Sequence, residues 1–120
     1  MRKSIHKSRS NATAPAPAQV ETRTPPPMPA APDILESAAM HIAERGKTRD
    51  IPGGERSMRR TIEAFNALCG HILTERDGWM FMAILKASRA ATGALNLDDY
   101  EDGAAYFALA GECAARRASP

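Results

Sequence analysis

The chain has 120 residues, with 16 Lys and Arg against 14 Asp and Glu and a net charge of +2. That length allows one domain, and two cysteines without metal-ligand spacing exclude a disulfide framework or a cysteine-based zinc site. The longest apolar run, Trp79 to Leu85, is far too short to span a bilayer, and the basic N-terminus lacks the apolar segment of a secretory signal. The expectation is a cytoplasmic protein with no membrane partner.

Seven of the nine prolines lie at or before Pro32, among Ala, Thr, Ser and basic residues with no apolar period. Such a segment cannot bury enough surface to offset its ordering entropy. Residues 1–32 therefore read as a disordered, Pro/Ala-rich basic tail, and residues 33–117 as an all-helical domain. Arg2, Lys3, Lys7, Arg9 and Arg23 against Glu21 give the tail a net +4, whereas residues 33–120 carry −2. A basic arm can touch nucleic acid, but this one has no interleaved aromatics to stack on bases. A solubilising leader is the simpler reading.

Four helices follow in order. Asp33 with Glu36 is a capping-box pattern, Leu35, Ala38, Ala39 and Ile42 share a face, and Gly46 is a stop. Residues 47–54 (KTRDIPGG) read as a loop. The second helix runs from Glu55 or Ser57 to Leu73, with Met58, Ile62, Phe65, Cys69 and Ile72 spaced as a helix-pair seam. Thr74 and Asp77 offer another cap. The third helix spans Gly78 to Gly93, and with Ile84 alone β-branched from 79 to 91, helix prevails over strand. The fourth starts at Asp98 or Asp99 and ends near Arg117. Tyr100, Ala104, Phe107 and Gly111 form one stripe on it, and its many alanines permit close approach to the third. The expected fold is all-α: a small four-helix bundle, about 85 residues and hence near the lower limit for one core. The wide Trp/Met/Phe surface of the third helix suggests a homodimer.

Two groups could carry chemistry. Asp99 and Asp102, with Asp98 beside them and Tyr106 one turn on, share a helical face. They suit Mg²⁺, or they simply complement the positive end of the helix dipole. Lys86 and Arg89 can clamp phosphate, or pair with that acidic turn. A short loop makes helices three and four antiparallel, so the two groups should meet. His41 and His71 lack partners in the sequence and rank lower. Glu55, Arg56 and Ser57 follow a double glycine but form no P-loop, and no nucleophile–His–acid set is spaced for catalysis.

The run from Gly54 to Glu112 resembles a small domain of unknown function common in bacteriophages and prophages. Arg49 and Glu55, Phe65-Asn66, Asp77-Gly78-Trp79, Met82, Leu85-Lys86, Arg89, Asp99, Asp102 and Tyr106 carry the likeness, which covers residues 33–113. The same pattern is distantly similar to all-α NTP pyrophosphatases of the MazG type. That resemblance implies Mg²⁺-dependent binding or hydrolysis of a nucleotide, with Asp99 and Asp102 as metal ligands and Lys86 and Arg89 on the phosphates. Those enzymes also carry an ExxE pair on the preceding helix, where this chain has only Glu63, with Glu55 before it. The alternative is a non-catalytic phage accessory module that assembles through helix faces and uses its basic arm on nucleic acid or protein.

Overall fold

The computed structural model describes residues 13–18, 27–48 and 57–119. Among them stand four helices and no strand: α1 (Ala31–Thr48), α2 (Ser57–Cys69), α3 (Glu75–Ala90) and α4 (Leu97–Ala118). The all-α class is as expected. No described helix is long and apolar enough to cross a membrane. Residues 13–18 and 27–30 are exposed and have no regular secondary structure. The rest of the expected tail lies outside the described residues, as do Arg49, Glu55 and Arg56.

Each helix boundary departs a little from the sequence reading, for local reasons. Asp33 accepts a hydrogen bond from the Ala30 N–H at 2.8 Å, so it sits in the first turn of α1 instead of capping it. Gly46 does not stop α1, because a glycine near a helix end costs only ~1 kcal/mol. α2 ends at Cys69, not Leu73. Gly70 takes a left-handed φ of 70°, and the Asn66 amide bonds Leu73 on both sides, donating to its carbonyl at 2.8 Å and accepting from its N–H at 3.0 Å. This clasp carries Ile72 off the predicted seam, leaving it 97% exposed. Thr74 and Asp77 form the expected capping box, which starts α3 at Glu75 and places Gly78 inside the helix. Asn96, not Asp98 or Asp99, caps α4 by accepting from the Asp98 N–H at 3.2 Å.

α3 and α4 are antiparallel neighbours held at both ends. Lys86 Nζ lies 2.8 Å from Asp102 at one end, and Arg116 lies 3.9 Å from Glu75 at the other. Between them Trp79, Leu109, Ala110 and Cys113 form the core, flanked by Ile42 of α1, Met58 of α2, and Met80 and Tyr106. Cys69, placed on the α2 seam by its spacing, is exposed. The stripe of Tyr100, Ala104, Phe107 and Gly111 lies outside the core rather than within it: Phe107 is 62% exposed, and on α3 so are Phe81 (68%) and Ile84 (62%). The cause is electrostatic. α4 is turned so that Asp99 and Asp102 reach Lys86, which sends the Phe107 stripe outward.

α2 leans on α3 through one notch. A Cβ at Gly78 would collide with Met58 Sδ and Cγ and Ile62 Cγ1, whereas one at Gly111 would meet nothing within 4 Å. Two glycines in helices thus predict opposite signs. Gly111→Ala should stabilise by ~0.5–1 kcal/mol through backbone entropy, and Gly78→Ala should destabilise by about 1–3 kcal/mol through overpacking. Urea unfolding of both variants reads the difference directly.

Candidate functional site

A network of charged side chains joins α1, α3 and α4. Its centre is the Lys86 ammonium, which sits 2.8 Å from Asp102, 3.6 Å from Asp99 and 3.5 Å from Asp98. Asp102 is the shared partner. Its second oxygen accepts from Arg45 Nη2 at 3.1 Å and lies 3.5 Å from His41 Nδ1. His41 Nε2 is in turn 3.9 Å from Glu101. Helical spacing explains the assembly. His41 and Arg45 are one turn apart on α1, while Asp98, Asp99, Glu101 and Asp102 occupy the first turns of α4.

The aromatic side of the site follows from Arg45. Its guanidinium lies 5.5 Å from the Tyr106 ring centroid, within cation–π range. Tyr106 stacks on Trp79 with centroids 5.7 Å apart. Beside this pair is a cavity of about 300 Å³ lined by Arg45, Ser57, Met58, Thr61, Trp79, Met82 and Tyr106.

Protonation states reinforce the pairing. The hydrogen bond to Asp102 raises the Lys86 pKa above the ordinary lysine value, outweighing the opposing effect of burial. Burial pushes the Asp102 carboxyl up, but the hydrogen bond and charge of Lys86, with the charges of Arg45 and His41, hold it below the usual carboxylate value. Among the described residues, four carboxylates (Asp98, Asp99, Glu101, Asp102) face Lys86, Arg45 and His41 in the network, a formal excess of negative charge.

That excess, with the right donor atoms, would suit a divalent cation. Lys86 fills the space between Asp99 and Asp102, the pair that the sequence nominates. The ligand atoms lying within 4.8 Å of one another are instead those of His41, Asp98 and Glu101. His41 Nδ1 is buried without a hydrogen bond, and the nearby Asp102 oxygen is at Coulombic rather than hydrogen-bonding distance. A carboxylate behind the imidazole is the outer-shell arrangement common to metal-bound histidines.

The structure thus brings Lys86, Asp99 and Asp102 together and links Tyr106 to them through Arg45. Arg89 is exposed and makes no ion pair among the described residues. Glu63 is exposed on α2, 3.1 Å from Arg59, and faces its own helix. Glu55 lies outside the described residues. Sequence reasoning missed Arg45 and Glu101 and underrated His41. The one available signal was the i,i+4 spacing of His41 and Arg45, which does not say that α1 crosses α4.

Over residues 33–114 the chain matches a family described as a domain of unknown function, DUF6378. The chain belongs to the DUF6378 family. No curated protein and no solved structure matches it. The matched span runs from the first turn of α1 almost to the end of α4, so the whole network lies inside the DUF6378 domain.

Removing one partner of a buried pair leaves an uncompensated charge. Asp102→Asn and Lys86→Met should each cost about 3–5 kcal/mol, and the double variant should fall short of their sum by ~1–3 kcal/mol. Denaturant melts of this DUF6378 domain in a double-mutant cycle measure that coupling. The pH dependence has a definite sign. The depressed Asp102 pKa contributes stability above the ordinary carboxylate value of 3.8, lost as pH falls through its lower folded value. The raised Lys86 pKa contributes stability below 10.5, lost as pH rises through its higher folded value. Melts across the pH range should show a plateau between those limits.

Proposed function

We propose that this domain binds a nucleotide together with a divalent cation, in the manner of the all-α NTP pyrophosphatases it resembles. The observation that carries the reading is the cavity beside Arg45. Its apolar walls (Trp79, Tyr106, Met58, Met82) suit a flat base, and the Thr61 hydroxyl, which donates to the Ser57 carbonyl, keeps an oxygen able to accept from the base's edge. Arg45 joins this cavity to the acidic turn of α4 through Asp102. A base lodged there directs its phosphates toward the charged network.

The chain's residues divide the work. Asp98, Glu101 and His41 would hold the cation, and Mg²⁺ bound there would neutralise phosphate charge and activate a water. Asp99 and Asp102 hold Lys86 and so fix the floor of the site, and Asp98, 3.5 Å from Lys86, would be shared between the lysine and the cation. Arg89, exposed one helical turn beyond Lys86, is free to meet a phosphate, and Tyr106 orients Arg45. Glu63, turned toward Arg59, does not supply the second carboxylate set that the resembling enzymes use. The residues present therefore support nucleotide binding, and pyrophosphate release is the readout for turnover. The likeness to phage and prophage domains supports a phage setting. The rival reading, a non-catalytic accessory module that assembles through helix faces, is favoured by the exposure of Phe81 and Phe107.

A panel of ribo- and deoxyribonucleoside triphosphates with Mg²⁺ or Mn²⁺ tests the proposal. One or more should raise Tm by several degrees at saturation, as expected when a ligand binds the folded state alone. EDTA should remove the shift. Glu101→Gln should weaken metal-dependent binding, and Thr61→Trp should block the cavity, both without loss of helical circular dichroism. If no nucleotide gives either a shift or pyrophosphate release, the nucleotide reading fails.

A further inference from the structure

We infer that the exposed apolar face shared by α3 and α4 is a two-fold interface that docks a second copy of this chain. The inference does not depend on the nucleotide reading. On α4 the face is the stripe of Tyr100, Ala104 and Phe107, about half a turn around the helix from Asp102 and Leu109. On α3 it is Ile84, with Phe81 exposed beside it outside the groove lining. Between the helices runs an apolar groove of about 560 Å³, floored by Ala83, Ala87, Gly103 and Ala104 and walled by Ile84, Tyr100 and Phe107. Among the described residues the groove's one charged lining residue is Asp99, already engaged by Lys86.

Area and core size identify the occupant. Phe81, Ile84, Tyr100 and Phe107 are 68%, 62%, 47% and 62% exposed. At ~150–250 Å² for each of the three aromatic side chains and a similar area for Ile84, these four leave on the order of 450 Å² of apolar surface in water, more than half the ~800 Å² per partner of a standard interface. Within one chain, no large side chain among the described residues is completely buried. A core this thin leaves a domain of this size marginal on its own. A second copy supplies the missing burial. Ridge and groove also lie on the same face, the requirement for a self-complementary two-fold contact, in which one chain's Phe107 ridge meets the other's alanine floor.

Analytical ultracentrifugation of the full chain, without nucleotide, tests the interface. The wild type should sediment at twice the 12.9 kDa chain mass. Phe107→Glu, and independently Ala104→Trp, which fills the groove from its floor, should sediment at the single-chain mass. Leu68→Glu, on α2 and 87% exposed, should leave the dimer unchanged. A wild type of single-chain mass up to concentrations on the order of 100 µM would overturn the inference. So would a dimer that survives Ala104→Trp. If either groove variant loses its helical circular dichroism, the wild-type melts decide. A Tm that rises with protein concentration marks a chain that folds through its partner, and a constant Tm overturns the proposal.

Discussion

The burial of one ammonium group organises this domain. A lysine side chain leaves water at a cost of several kcal/mol unless carboxylates with good geometry surround it. Lys86 meets that condition through three aspartates, and satisfying it sets the rotation of α4 about its axis. The same rotation puts Leu109, Ala110 and Cys113 against Trp79 and leaves Phe107 in solvent. Asp102 then extends the constraint to α1, since Arg45 and His41 both converge on it. Three of the four helices are thereby oriented by one polar cluster, with a thin apolar core beneath.

Polar organisation of this kind gives specificity of arrangement more readily than stability. A hydrophobic replacement of comparable volume often costs little or even stabilises, whereas removing one member is severe. Here the cluster adjoins a cavity and retains excess negative charge. The charges that fix the fold are therefore the charges that a ligand would meet, and α4 cannot shift to accommodate one without disturbing Lys86.

Much of this was legible in the sequence, for identifiable reasons. Helix type followed from composition and period, and the Thr74–Asp77 box could be read because both halves lie within four residues. The meeting of Lys86 with Asp99 and Asp102 was legible because a six-residue connection, Ala91–Asn96, forces α3 and α4 antiparallel. Arg45 was not legible, since its partner is 57 residues away and nothing local states which face of α1 crosses α4. The Phe107 stripe shows a related limit. Periodicity reveals that a face is apolar, but not which neighbour covers it, and here a buried charge won that competition. At α2, the regular 4,3,4,3 spacing ran past Gly70, whose left-handed turn and the Asn66 clasp are local stop features that apolar spacing does not register.

The Gly78 notch decides how firmly one wall of the cavity is held. α2 buries none of its residues and rests on α3 chiefly where Met58 and Ile62 straddle that glycine. With so little apolar contact, its local opening costs less free energy than that of α3 or α4, whose buried residues are shared. Ser57, Met58 and Thr61 form one wall of the cavity, and all three belong to α2. One wall of the cavity is thus tied to the charged network through Arg45, and the other belongs to the least firmly held of the described helices.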